Sequence, residues 1–409
     1  MNIMIIIHSL RGGGAEKVAA DLITRMSVKH RVCAVLIENN GDHDYPIPVH
    51  VPVYYLQRHE QVYRRGNGTR DYLSAYYRDM SDQVRMIKQR EHIDCALSFL
   101  EQGNYLNILS KGKERVLISI RNHMSVKEMY RRNGDMFMNA GHMSYQRKAD
   151  RIICVSEDVR EDQYRNYHMP ERKLSVIRNY IDSAEMQKKA QESLNDEAFT
   201  AFRESHGFLY VNSGRLTVQK GQKHILKAFT AVHEKYPDTG LVILGEGELR
   251  ASLTKAAGLL GIENDVYFAG RQSDPYAYMK QCDVFVLASL YEGFSNVLLE
   301  ANALSLPVIA SDCTGVRELY DPKRPAGRIT AVRETDYALL VPCMDIFGDT
   351  LTGMTEKEEY LYQAMIRMYE DEDLRRKYMK NSRILQEKYR PEVILPLWEA
   401  ECEGRYVHG

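Results

Sequence analysis

Glu292 and Glu300 stand eight residues apart on either side of a helix start, a spacing that sets two carboxylates around one anion site. Residues 283–289 (DVFVLAS) are an apolar run that reads as a buried strand, and VLLEANALS from Val297 reads as a helix. Gly293, Phe294, Ser295, Asn296 and Val297 fill the turn and the first helical positions, with Ser295 or Asn296 as N-cap. Free backbone N–H groups at such a start hold a phosphate, helped by the helix dipole. Glu292 falls in the loop and Glu300 about one turn into the helix, roughly 6 Å along its axis. A phosphate carrying a hydroxyl-rich group would meet a carboxylate on either side. The bland alternative, a solvated helix face, is not excluded by the pair alone.

Two more turns must deliver partners to that site. Residues 208–214 (FLYVNSG) read as a buried strand, followed by RLTVQKG and an amphipathic helix. Arg215 and Lys220 then stand at the C-terminal edge of a strand, where open α/β sheets bind ligands. LVILGEGELR supplies another strand at 241–244, opening through Gly245 and Gly247 into a helix. Two cations, two close-approach glycines, a helix terminus and two carboxylates suit a nucleotide diphosphate bearing hydroxyls. The competing reading of Arg215 and Lys220 is a surface ion pair.

The remaining elements form an α/β alternation. Residues 3–8 read as a strand, 11–14 as a turn, 15–29 as a helix with Ala15, Val18, Ala19, Leu22, Ile23 and Met26 on one face, and 31–37 as the next strand. That βαβ unit implies a right-handed crossover. Residues 58–70 are polar, basic and glycine-containing, and are expected to form a mobile loop. The pattern turns polar over 181–205, with a helix of uncertain role, becomes largely helical over 355–389, and ends in a segment carrying Val393, Ile394, Leu397 and Trp398. A chain of 409 residues suits two domains.

The spacing of Gly214, Arg215 and Leu216 with Lys220 and Gly221, the GEGELR turn, FAGRQSD, and Glu292-Gly293-Phe294 with Glu300 resemble the retaining GT-B glycosyltransferases, specifically glycosyltransferase family 4. GGGAEKVAADL at 12–22 is similar to that family's N-terminal glycine loop, which adds Gly13 and Gly14 to the donor side, and VSEDV at Val155 is similar to its mid-chain segment. The resemblance covers nearly the whole chain. It implies an α/β fold of GT-B type, with two Rossmann-like α/β/α domains facing across a cleft. The expected division is an acceptor domain at 1–180, a linker region at 181–206, a nucleotide-sugar domain at 207–389, and a C-terminal helix at 390–409 that crosses back to the first domain.

The activity this implies is retaining transfer of a hexose-type sugar from a nucleotide-diphosphate donor, a UDP-sugar favoured. The acceptor would be a glycan or lipid-linked oligosaccharide in surface polysaccharide biosynthesis. Cleaving the bond between anomeric carbon and phosphate oxygen builds negative charge on the diphosphate. Arg215 would grip phosphate oxygens in a planar fork, Lys220 would add a point charge, and the amides after Gly293 would add oriented dipoles. These charges would stand in for a metal ion, so neither a cofactor nor a divalent metal is expected. Glu292 would orient donor-sugar hydroxyls and Glu300 would accept from the ribose. No enzymic nucleophile is evident, which favours a front-face route in which the departing phosphate helps deprotonate the acceptor. His123, after the VLISI strand, matches the family's histidine near the donor sugar, although its RNHMS setting departs from the usual pattern. A satisfied loop histidine is the bland alternative, and Arg121 and Asn122 are the other acceptor-side residues.

Composition and charge bound the rest. The chain is 44% hydrophobic and 27% charged, a globular balance rather than a disordered one. Seven scattered cysteines with no CxxC pair suit a reduced, cytoplasmic chain and argue against zinc. No apolar run is long enough to span a bilayer, and the N-terminus lacks the charged front of a signal peptide, so a soluble or peripheral protein is expected. Residues 1–180 carry 28 Lys and Arg against 21 Asp and Glu, which leaves 27 against 35 for the remainder. A basic half could face anionic lipid at the inner face of a membrane, or be a plain solvated surface; nucleic acid is not the expected partner. Met124, Met129, Tyr130, Met136, Phe137, Met138 and Met143 with Lys127, Arg131 and Arg132 suit a lipid-linked acceptor, against the alternative of a core helix with a solvated face. Gly12-Gly13-Gly14 lacks the dinucleotide-binding register, with Glu38 the one acidic residue placed for a ribose, and no G-K-[ST] follows it. Asp42-His43-Asp44 has a metal-binding form but reads as a turn. A sugar-nucleotide hydrolase or epimerase, and a non-catalytic partner subunit of this fold, are the other classes considered.

Overall fold

A computed structural model describes residues 1–38, 43–59, 69–130, 145–323, 327–345 and 351–405. The chain divides into two compact units, one formed by Met1–Asn179 together with the chain from Glu392 onward, the other by Tyr180–Pro391.

The first unit is built on a seven-stranded parallel sheet of β1 (Asn2–Ile7), β2 (Arg31–Leu36), β3 (Val53–Tyr55), β4 (Cys95–Phe99), β5 (Arg115–Ile120), β6 (Arg151–Cys154) and β7 (Leu174–Val176). Its order is β3-β2-β1-β4-β5-β6-β7. Parallel strands are covered on both faces, which is why β1 is an unbroken apolar run whose Ile3, Met4, Ile5, Ile6 and Ile7 are fully buried. The helix Gly14–Met26 returns the chain to β2 and buries Val18, Leu22, Ile23 and Met26. The last helix, Pro391–Cys402, belongs to this unit from Glu392. Trp398 is fully buried with its ring 6.0 Å from that of Phe99, and Arg151 grips the buried Glu401 through Nε at 3.1 Å and Nη2 at 2.9 Å.

The second unit carries β8 (Phe208–Ser213), β9 (Thr239–Leu244), β10 (Val266–Gly270), β11 (Val284–Leu287), β12 (Val308–Ser311), β13 (Arg333–Glu334) and β14 (Leu339–Val341), in the order β10-β9-β8-β11-β12-β14-β13. All pairs are parallel except β13 with β14. Residues 181–206, read from sequence as a linker, form two helices of this unit, Ser183–Lys189 and Glu197–Ser205. Asp182 and Asp196 cap them, and Asp196 also accepts from the hydroxyls of Tyr267 and Tyr278 at 2.7 and 2.8 Å. The sequence suggests one helix of uncertain role here; there are two, short and burying few side chains, chiefly Met186 and Phe199.

Most of the basic loop expected at 58–70 lies outside the described residues. So do Asp42, Arg131, Arg132, Met136, Phe137, Met138 and Met143.

Candidate active site

The strand order of the second sheet reverses between β8 and β11, and open α/β sheets bind ligands at the carboxyl ends of strands at such a reversal. Lys220 follows β8 and Glu292 follows β11. Lys220 Nζ donates to Glu292 Oε1 at 2.7 Å, and Ser289 Oγ donates to the same oxygen at 2.7 Å. Glu292 is 7% exposed, a depth at which a carboxylate needs partners. An ammonium carries three donors and a carboxylate two oxygens, so this pair leaves N–H groups on Lys220 and Oε2 on Glu292 for a ligand. Main-chain contacts hold the two loops together: Leu290 N–H donates to Gln219 O at 2.8 Å, and Gln219 Nε2 donates to Tyr291 O at 2.9 Å. Thr314 Oγ1 donates to Glu292 O at 3.0 Å from the turn after β12.

Two glycines make that approach feasible. A Cβ at Gly221 (φ 65°) would stand 2.2 Å from Ala288 O, and one at Gly245 (φ 133°) would stand 2.0 Å from Gly214 O. Arg215 is exposed, and its guanidinium makes no ion pair with any described residue, while its carbonyl accepts from Gln222 Nε2 at 3.0 Å. The helix Asn296–Ala303 starts at Ser295, whose extended backbone (φ −75°, ψ 111°) is that of an N-cap. The Ser295 hydroxyl does not cap the helix, and its Oγ is buried without a hydrogen-bond partner. Gly293 is buried in the turn, and Asn296 and Val297 are half-buried in the first helical turn. Phe294 is buried with its ring 5.4 Å from that of Tyr389, so its side chain packs the turn. Glu300 is buried one turn into the helix. Burial pushes the Cys313 thiol well up and that of Cys343 up to about 11, so neither offers a thiolate nucleophile.

The C-terminal edge of the first sheet collects different groups. Gly13 caps the helix Gly14–Met26, and a Cβ there would meet Glu16 Oε2 at 1.9 Å because the glutamate folds back over it. His123 follows β5 and points Nδ1 at Asp162 Oδ2, 3.5 Å away. Asp162 lies on the helix Glu157–Arg165 and also accepts from Ser125 N–H at 3.2 Å and Asn166 Nδ2 at 2.8 Å. Ser125 Oγ lies 3.4 Å from the same Nδ1, and Nε2 has no partner among the described residues. Arg121 donates to Asn179 Oδ1 and to Ser119 Oγ, and its guanidinium lies 5.8 Å from the Phe99 ring centroid. Asn122 between them is half-buried. Glu38, weighed as a ribose ligand, is taken by His8 Nε2 at 3.2 Å and Arg58 Nη2 at 2.9 Å. His8 Nδ1 meets Gln102 Oε1 at 2.8 Å, and Gln102 Nε2 donates to Tyr76 OH at 2.9 Å. Among the described residues no three His, Cys, Asp or Glu side chains converge as a metal site, and His43 pairs with Tyr55 OH at 2.9 Å.

Two family models match in succession, Glycosyltransferase Family 4 over residues 12–185 and Glycosyl transferases group 1 over 195–337. HepE from Anabaena, solved in complex with UDP, superposes with a TM-score of 0.74 over 99% of this chain and 100% of that one, at 16% identity. The chain belongs to the GT-B glycosyltransferases. A glycosyltransferase of Methanocaldococcus jannaschii is 34% identical over 262 residues, 63% of this chain and 64% of that protein. A Campylobacter jejuni enzyme, N-acetylgalactosamine-N,N'-diacetylbacillosaminyl-diphospho-undecaprenol 4-alpha-N-acetylgalactosaminyltransferase, is 28% identical over 93% of each chain.

In this glycosyltransferase the second sheet gathers Lys220 and Glu292 directly, with Arg215, Gly245 and the Ser295–Asn296 helix start around the same strand ends. The competing reading of Lys220 as a surface ion pair gives way to a buried pair with Glu292. Ser289 and Asp162 escaped the sequence reading, Ser289 because it lies inside an apolar strand run and Asp162 because it sits in a charged helix. The signal for Ser289 was its position three residues before Glu292, at the end of a strand; Asp162 had none.

Proposed function

We propose that this glycosyltransferase moves a hexose-type sugar, with retention of anomeric configuration, from a nucleotide-diphosphate donor to a glycan or lipid-linked acceptor in surface polysaccharide biosynthesis. The observation that carries the reading is the buried Lys220–Glu292 pair at 2.7 Å across the strand-order reversal. Lys220 retains donors for diphosphate oxygens, Glu292 retains an oxygen for sugar hydroxyls, and the helix Asn296–Ala303 begins shortly after Glu292 in the chain. Arg215 joins them as the leaving-group fork, and Glu300 accepts from the ribose. A UDP-sugar is the favoured donor, in keeping with the UDP bound by HepE. The lipid-linked acceptor is supported by the diphospho-undecaprenol in the name of the Campylobacter relative; Met124 is buried and Lys127 pairs with Glu101, so these two residues fit the core-helix alternative and add nothing to that support.

With Glu292, held by Lys220 and Ser289, assigned to orienting the sugar rather than to a glycosyl-enzyme bond, the anomeric carbon–phosphate bond breaks as the acceptor oxygen bonds the same face, and the acceptor proton passes to the departing phosphate oxygen. His123, through its open Nε2, steadies the donor sugar, while Arg121 and Asn122 serve the acceptor. No divalent metal takes part, because Arg215, Lys220 and the helix start supply the positive potential. Among the described residues no helix is long and apolar enough to cross a membrane, and the basic first half supports peripheral attachment at the inner membrane face.

Thermal-shift screening against UDP, GDP, ADP and their sugars tests the donor reading, since a ligand that binds the native state raises its melting temperature. No shift with any of them would defeat it. Rapid release of free sugar without an acceptor, and no transfer when lipid-linked glycan is added, would favour a hydrolase instead.

A further inference from the structure

Lys220 and Glu292 occupy the C-terminal edge of the second sheet, and the opposite edge holds a pocket of its own. β13 runs antiparallel to β14, with Arg333 opposite Leu340 and Glu334 opposite Leu339. Residues 335–338 therefore turn at the N-terminal end of β14, which lies parallel to β12. Between this turn, the end of the helix Val316–Tyr320 and Lys377 of the helix Glu372–Lys388 lies a cavity of about 490 Å³. That volume falls in the range of small-ligand sites.

The lining carries three carboxylates, Asp321, Glu334 and Asp336, and three cations, Lys323, Arg333 and Lys377. Four of these are paired: Arg333 Nε donates to Asp321 Oδ2 at 2.6 Å and Lys377 Nζ to Glu334 Oε1 at 2.9 Å, and Glu334 also accepts from Arg367, which in turn lies 4.0 Å from Asp371. The Lys323 ammonium, the Asp336 carboxylate and the Tyr337 phenol have no hydrogen-bond or ionic partner among the described residues. They sit on a stiff frame. Thr335 Oγ1 accepts from the Tyr337 and Ala338 N–H groups at 3.1 and 3.0 Å and donates to Ala338 O at 2.8 Å, while Asn381 Nδ2 donates to Asp336 O at 2.7 Å.

A cavity with balanced charge offers no net field for a phosphate or polyanion. It does offer one open donor, one open acceptor and a half-buried aromatic ring held by a rigid turn. A sugar ring needs that set, since its hydroxyls both donate and accept and its C–H face packs on an aromatic surface. We propose that this pocket binds a neutral pyranose unit of a carbohydrate chain, on the edge of the second sheet opposite Lys220 and Glu292. Asp336 accepts from ring hydroxyls, Lys323 donates to them, and Tyr337 packs against the ring. The site retains a glycan and performs no transfer.

Saturation-transfer NMR on the full chain tests this with chitotetraose and maltotetraose as neutral probes and inositol hexakisphosphate as the anionic one, all with excess UDP present. The expected result is signal from at least one neutral probe that is insensitive to salt between about 50 and 500 mM. Tyr337→Ala and Asp336→Ala should each reduce it at least about five-fold, with melting temperatures within about 2 °C of wild type, because both residues are on a surface turn. Silence from both neutral probes, equal signal in wild type and both variants, or binding of inositol hexakisphosphate alone would overturn it. The readout needs no turnover, so it stands or falls separately from sugar transfer.

Discussion

The two sheet edges that carry the candidate residues are organised differently. At the second sheet, Lys220 and Glu292 come from loops whose main chains touch, with glycines wherever a side chain would collide: Gly221 against Ala288 O and Gly245 against Gly214 O. At the first sheet, polar side chains link distant positions in relays, His8 to Gln102 and onward to Tyr76, and His123 to Asp162 and onward to Asn166. Backbone proximity fixes a site within tenths of an ångström, as charge stabilisation of a leaving group demands. Side-chain relays orient groups while letting their identity change, which suits an edge that must fit a variable acceptor.

If the second edge supplies the charge stabilisation, its ion pair should carry the largest effects. Lys220→Ala removes a cation and strands the buried Glu292 carboxylate; transfer should fall about 100- to 1,000-fold in kcat/KM. Arg215→Ala should act on the same leaving group, and the double variant should lose less than the two single losses combined. Glu292→Gln should depress transfer while sparing affinity for the bare nucleotide, whereas Glu300→Gln should weaken nucleotide and nucleotide sugar alike. Steady-state kinetics with parallel nucleotide titrations reads all five variants. Near-normal turnover in folded Lys220→Ala would dissolve the contrast between the edges.

Backbone approach makes a second prediction, on stability. Gly245→Ala forces a Cβ into Gly214 O at a φ that side chains avoid, costing about 2–4 kcal/mol. In a unit of this size that lowers the melting temperature by roughly 5–15 °C. A melting curve that overlays wild type would mean the two turns are not tightly apposed.

The same contrast explains what the sequence made legible. Strand runs such as FLYVNSG and DVFVLAS, bounded by Gly214 and Gly293, announce their turns, and the structure puts Arg215, Lys220 and Glu292 at the strand ends those turns imply. Lys220 and Glu292, however, lie 72 residues apart, and nothing in either local pattern says that they pair. Asp162 is one of several acids in EDVREDQYR, and only the folded helix singles it out as buried. Over 181–205 a helix was legible but not its division into two, at 183–189 and 197–205, because their stability comes from Asp182 and Asp196 caps and a few buried side chains rather than from an apolar stripe.

On the first edge the effects should be smaller. Asp162→Asn keeps most hydrogen bonds to Ser125 and Asn166 but removes the carboxylate charge that faces His123 Nδ1; turnover should drop about ten-fold, with little change in nucleotide affinity. A purely structural role for Asp162 would lower the melting temperature and leave the pH profile of turnover unmoved. A shift of that profile in Asp162→Asn, absent when His123 is itself replaced by Gln, would assign the effect to the imidazole.

The smallest expected effect is none at all, and it bears on how the second edge does its work. On the proposed reading, Arg215, Lys220 and the start of the helix Asn296–Ala303 supply fixed positive charge and a dipole to the diphosphate. A divalent cation would compete with Lys220 for the same oxygens. Initial rates with excess chelator should therefore match those without it, at every donor concentration. Loss of activity with chelator, restored by magnesium or manganese, would mean that the protein's own cations are not enough to hold the leaving diphosphate.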